Sequence, residues 1–418
     1  LAAHHPLTPR ARRLARAASG LLLCAPLAAL AHGEGSDPLP PEPGLSVTAA
    51  AALRSLDERA PLPSTRLDGV LLKGDAGKDP GGPQVEHASV AAGWRWHPAW
   101  GAYAAAGVHG GEPLRLEALW LQWRRDGLDA DVLLTAGRQG LAAGPVLLAT
   151  GPADAFVLQP LAQRAALDHP ESDNGVQVGW RRSVRGVDLS LDGGLWRGRG
   201  FPGAAHGGRE GPGTSLHAGL ATAAWSADTV WLQLRPRARG TSTSPALGHS
   251  HGAPACNPAF TEVICFGGRV DLLGASLRWR GADSSLRWPV TLTGAGWWRT
   301  DDGRLESANG LADYRGRTAG GWLDAEWAWH PAWSVGWRHE RLHARHHLDG
   351  PGAALLALEA RLQHAGTARR DTMQLAWQPA PWARIGLAAG EETMAGRTGR
   401  FVALRLVVTA TRTTWATP

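Results

Sequence analysis

Between residues 318 and 347, tryptophan and charge alternate with a period of two. Leu323, Ala325, Trp327 and Trp329 fall on one face, and Asp324, Glu326 and Ala328 on the other. His330-Pro331-Ala332 is too short for anything but a tight turn. The alternation then resumes, with Trp333, Val335 and Trp337 opposite Ser334, Gly336 and Arg338. Two alternating runs joined by a tight turn specify a β-hairpin. Four tryptophans on one side, with carboxylates and an arginine on the other, are unfavourable on a ribbon wetted on both faces. The pattern fits a ribbon with hydrocarbon on its apolar side and a wet lumen on its polar side.

The pattern recurs along the chain. Residues 85–96 and 100–109 flank a second His-Pro-Ala turn at 97–99. Further alternating runs lie at 128–135, 176–181, 187–192, 273–280 and 286–293, then from 373 and 382, and at 402–408. The turns are of two kinds. His97-Pro98-Ala99, His330-Pro331-Ala332 and Gln378-Pro379-Ala380-Pro381 are tight, and each lies between tryptophans. Stretches 198–212, 238–267, 300–317 and 346–352 are longer and polar, and are expected to be loops. Short turns at one end and long loops at the other are the build of an outer-membrane barrel. The predicted fold is all-β: a transmembrane antiparallel β-barrel of about 16 strands, with 14 to 18 allowed, each roughly 9–11 residues across the bilayer. The alternative is a soluble β-sandwich or β-helix with its apolar face inside. Residues 141–170, rich in Ala, Pro and Leu, follow neither period. They are expected either to fold inward as a constriction or to form an extended outer loop.

Composition supports export. Arg10, Arg12, Arg13 and Arg16 precede an apolar run from residue 21 to 30, and Ala29-Leu30-Ala31 has the small-x-small form of a cleavage site. The expected organisation is a signal peptide over 1–31, a flexible leader over 32–42, the barrel over 43–411 and a tail over 412–418. Cleavage removes four arginines and no acids from a formal +6, which leaves about +2 and argues against a nucleic-acid binder. Outside that leader no run approaches roughly 18 apolar residues, so a membrane-spanning chain must close as a barrel. Cys256 and Cys265, nine apart in an exported chain, are expected to form a disulfide, with paired metal ligands as the alternative.

Several segments resemble a family of zinc-regulated, TonB-dependent-receptor-like outer-membrane proteins. They are Ala136-Gly137-Arg138 through Gly144, Asn174-Gly175-Val176 through Trp180, Leu195-Trp196-Arg197 through Pro202, and Tyr314-Arg315-Gly316-Arg317 through Arg341-Leu342, in the family's order. The resemblance implies an outer-membrane receptor or channel that takes up a small solute, with zinc or another transition metal as cargo. Residues 32–84 are too short for a plug domain and carry no TonB box, so engagement of TonB is not expected.

Two groups of histidines suit metal capture, because imidazole and carboxylate are ligands for zinc, copper and nickel. One is His249 and His251, in the stretch that also holds Cys256, Glu262 and Cys265. The other is His339, His343, His346 and His347, at the loop end of the 318–347 hairpin. His339 and His343 would lie about 13 Å apart on a continuous strand, so sharing one ion requires the strand to end between them. Ordinary solvated loop histidines are the plainer reading. The lumen-facing charges are expected to be Arg181, Arg278, Arg280, Arg287, Arg338, Asp188, Asp192, Asp324 and Glu326. They would brace the wall in pairs or set an ion preference. The chain has no Gly-x-Ser-x-Gly elbow, His-Glu-x-x-His or phosphate-binding glycine loop, so no enzyme is expected. The expected partners are membrane lipid and a small solute or metal ion, and the expected function is solute passage. A passive porin without a metal role, or a surface adhesin, stands beside it.

Overall fold

The computed structural model describes residues 38–57, 70–71, 81–110, 113–127, 130–149, 154–168, 172–204, 208–242, 256–259, 263–281, 289–362, 366–394 and 396–415. The expected signal peptide, His249, His251, Glu262 and Arg287 lie outside these residues.

The wall begins with β1 (Gly44–Leu56), β2 (Gly82–His97), β3 (Trp100–His109), β4 (Arg115–Arg125) and β5 (Asp131–Gln139). It continues with β6 (Asp173–Val184), β7 (Val187–Trp196), β8 (Gly213–Ala221) and β9 (Trp225–Leu234). After a four-residue strand β10 (Arg239–Ser242) come β11 (Val263–Gly281), β12 (Val290–Ser307), β13 (Gly310–His330) and β14 (Trp333–Asp349). The last three are β15 (Gly366–Ala380), β16 (Ala383–Met394) and β17 (Arg397–Trp415). Each strand pairs antiparallel with its sequence neighbour, except that β9 pairs with β11. β10 lies beside the first residues of β11 only, from Arg239 opposite Phe266 to Ser242 opposite Val263. β1 pairs with β17 from Gly44 opposite Trp415 to Leu56 opposite Ala403, which closes a 16-strand barrel with no free edge.

Alternation decides which side of the wall each residue takes. On β13, Leu323 and Trp327 are exposed outward at 56% and 45%, while Asp324 between them is buried. Val176 and Val178 on β6, Leu273 and Leu277 on β11, and Leu375 and Trp377 on β15 are likewise exposed. Buried cations, among them Arg95, Arg299, Arg338, Arg370 and Arg405, are on the inner face. A wall greasy outside and charged inside is stable only with hydrocarbon around it.

The tight turns share one end. In two of them the histidine ring accepts the backbone N–H two residues on: Ala99 to His97 Nδ1 and Ala332 to His330 Nδ1, both 3.1 Å. That bond closes the turn in place of a ladder bond, and proline fixes its φ. Trp329, Trp333 and Trp377 stack across three strands at this end, with centroids 6.4 and 5.6 Å apart. Indoles so placed form the interfacial girdle.

Three boundaries differ from the sequence expectation. Residues 300–317 are not a loop: β12 and β13 run through them to a tight turn at Ser307–Gly310, where Ser307 pairs with Gly310. β14 likewise takes up 346–349 before a short helix over Ala353–Glu359. Both stretches carry alternating outward polar residues that a bilayer-length strand would lack, so polarity suggested loop where the strands continue past the membrane. At the other end of the wall, β17 continues to Trp415 rather than stopping at 411. The leader's described part is seated against the wall: Leu39 is buried, and Arg95 donates from Nε to the Pro40 carbonyl at 2.6 Å.

Candidate functional site

Of residues 141–170, those described (141–149 and 154–168) fold inward. They form α1 (Gly144–Leu148), an irregular stretch over 154–160 and α2 (Leu161–Leu167), and α2 packs on β12, β13 and β14. A segment without ladder partners inside a barrel must satisfy its backbone polar groups elsewhere. The inner face of β12–β17 supplies the partners. Arg338 bonds Asp154 at 3.1 and 3.2 Å, the Leu158 carbonyl at 3.0 Å and Asp324 on its own wall at 2.7 Å. Its guanidinium also lies over the Phe156 ring, 4.1 Å from the centroid. Glu340 accepts the Leu161 N–H at 2.7 Å and holds Arg370 at 2.9 Å, and Arg370 in turn donates to the Gln159 carbonyl. Gln374 accepts the Val157 N–H at 2.8 Å, Arg299 donates to the Ala165 carbonyl at 3.1 Å, and Arg405 donates to the Asp154 carbonyl.

The segment thus fills the half of the lumen that faces β12–β17. Against β3–β9 a cavity of about 790 Å³ remains, bounded on the segment's side by Leu141, Leu148 and Leu167. Its wall carries Tyr103, Trp120, Arg138, Arg181, Asp192, His217, Asp228 and Arg280. Asp192 holds Arg181 at 2.7 Å and His217 at 2.9 Å, and His217 reaches Asp228 at 3.1 Å.

The charges expected in the lumen fall on both sides of this division. Arg181, Arg280, Asp188 and Asp192 line the cavity. Asp324 and Arg338 anchor the inner segment, Glu326 lies beside Gly336 on the same wall, and Arg278 reaches Thr293 at 3.4 Å.

The histidines of β14 are not brought together. The strand runs unbroken to Asp349, so His339, His343 and His347 stand in an outward row with Arg341 and Arg345, and His346 turns the other way. His339 bonds Asp371 at 2.6 Å, and His343 accepts from Arg345 at 2.7 Å. Sharing one ion required the strand to end between His339 and His343; it does not, and a rise of about 3.3 Å at every residue keeps them apart. Cys256 and Cys265 are joined by a disulfide.

Sequence reasoning missed a different cluster. His87 on β2, His109 on β3 and Glu117 on β4 meet on the inner wall, each imidazole Nε2 being 2.9 Å from Glu117 Oε1. Counting outward from the turn at 97–100 brings His87 opposite His109, given one irregularity near the turn. That count was the available signal. Glu117 had none, because it faces inward through a break in register between Ala105 and Ala106.

A closed barrel with an apolar outer band, a charged interior and an inward-folded segment after its fifth strand is a porin-like barrel of the outer membrane. Among solved structures, the chain is similar to a loop-deletion mutant of OmpT, an outer membrane protein of Vibrio cholerae: TM-score 0.53, 9% identity, 88% of this chain and 98% of that one covered. It is also similar to the outer membrane channel DcaP of Acinetobacter baumannii, with TM-score 0.52, 9% identity, and 88% and 96% covered. OmpF of Salmonella typhi, in complex with daunomycin, gives 0.50, 7% identity, and 88% and 97%. No protein-family model matches the chain, and no curated protein does. At these identities the likeness shows the fold. The resemblance to zinc-regulated, TonB-dependent-receptor-like proteins gains no support from it.

Proposed function

We propose that this barrel is a channel through which small hydrophilic solutes cross the outer membrane, and not an enzyme. The observation that carries the reading is the divided interior. One half of the lumen holds an anchored segment, and the other keeps a solvent-sized cavity walled by polar and charged side chains. A barrel serving only as a scaffold for surface loops has no need of such a space. Zinc as the particular cargo rested on the family resemblance and on two histidine groups, of which β14 holds one apart and the other, His249 and His251, lies outside the described residues; the channel is read here without a metal requirement.

The cavity's charges suggest anion preference. Asp192 and Asp228 are engaged by Arg181 and His217. Arg138 and Arg280 line the same space and form no ion pair among the described residues, while of the other carboxylates there Asp188 is held by the Ser183 hydroxyl and Asp173 by backbone N–H groups. Unneutralised cations in a narrow, low-dielectric passage raise the local anion concentration. Purified barrel in planar bilayers is expected to conduct, with a reversal potential under a KCl gradient that favours chloride. Replacing Arg138 and Arg280 together by Gln is expected to move that potential toward zero. A barrel that inserts but passes no current would end the channel reading and favour an adhesin.

A further inference from the structure

His87, His109 and Glu117 come from three consecutive strands and converge on one point of the inner wall. Their ligand atoms all lie within 4.8 Å of one another. The two rings are 4.4 Å apart at 32°. Two of the three register irregularities among β1–β4 lie beside the cluster. The register of β1 on β2 shifts between Ala52 and Leu53, whose partners are His87 and Val85. The register of β3 on β4 shifts beside Glu117. Bulges re-aim side chains, and two of them next to one cluster indicate a built arrangement. Gly107 completes it, since a Cβ there would collide with the Glu117 carboxylate.

We propose that this triad binds a divalent transition ion of the zinc class, through two imidazole Nε2 atoms and the Glu117 carboxylate, with the fourth position open to the cavity. Zinc sites with two histidines and a glutamate leave such a position for water or another ligand. With ligand bonds of about 2.0–2.1 Å, tetrahedral donors stand about 3.3 Å apart. The 2.9 Å separations between each Nε2 and Oε1 need open by only about 0.4 Å, within reach of a side-chain adjustment. Two imidazoles select against magnesium and calcium, which take oxygen ligands. Access comes from the cavity, which His109 and Glu117 line while His87 sits buried behind them. On binding, the imidazoles present their Nε2 lone pairs to the ion and carry the ring proton on Nδ1.

The test uses the full-length folded barrel in detergent and zinc itself, so it does not depend on whether the barrel conducts. Calorimetric titration after chelator treatment is expected to show one site per chain. H109A and E117Q are each expected to weaken it by more than about 100-fold, since loss of a supporting hydrogen bond alone costs 10–100-fold. Cobalt substituted for zinc is expected to give the visible absorption of a tetrahedral centre. G107A, which alters no ligand, is expected to weaken zinc binding as well, with the folded-barrel gel mobility retained as the control for all three variants. The double variant H249A/H251A is expected to bind as the unaltered protein does. The proposal is overturned if the folded barrel binds no zinc, or if its binding survives H109A and E117Q.

Discussion

Arg338 ties the inner segment to the wall through five hydrogen bonds. It is 3% exposed and ties Asp324 on the wall to Asp154 on the inner segment. Removing one partner of a buried pair leaves the remaining charge uncompensated, at about 3–5 kcal/mol. R338A should therefore lower the temperature at which the barrel loses its folded gel mobility. The triple change R338M/D154N/D324N should recover part of the loss, because no charge is then stranded. Equal stability of R338A and the unaltered chain would show that the pair is not buried in the membrane-embedded protein. Half of this arrangement was legible in the sequence. The period of two assigned Arg338 and Asp324 to one inner face. Asp154, 184 residues earlier in a stretch without a period, could not be matched to them. The His87–His109–Glu117 cluster was hidden for a related reason: a bulge shifts register by one residue, and no composition signal marks where it falls.

At the scale of the element, the inner segment is held by close packing as well as by ion pairs. Gly336 on β14 leaves room for Phe156, whose Cζ would lie 2.9 Å from a Cβ placed there. G336V should lift residues 154–159 off the wall while leaving the outward face of the strand untouched. The expected readout is a severalfold change in single-channel conductance with folded mobility retained. An unchanged conductance would mean that the segment does not lie on the conduction path. The strands themselves were readable, because tryptophan and leucine at every second position leave one solution for a hairpin. The segment was not, because its helices are five and seven residues long and are specified by the wall they rest on.

For the whole molecule, the two faces make opposite predictions. Leu323 and Asp324 are adjacent in sequence and point to different solvents. L323R, on the hydrocarbon side, is expected to cost about 2–4 kcal/mol near the bilayer midplane. Brominated lipid tails should quench the outward tryptophans, Trp327 and Trp337 among them, while a water-soluble quencher confined to the lumen should not. Trp120 and Trp196 line the cavity and are expected to respond to that quencher, but strong lumenal quenching of Trp327 and Trp337 would invert the barrel and remove the basis for the channel.

The strands are of very unequal length. β13 has 21 residues and β12 has 18, while β5 and β8 have 9 each. At strand rise and barrel tilt, the difference between β13 and β5 amounts to roughly 30 Å of height. The barrel therefore has a slanted lip, tall over the blocked half and low over the open one. Among the described strands, the low flank is the one whose rim carries His109 and Glu117, so it is there that the wall presents those two side chains to the cavity.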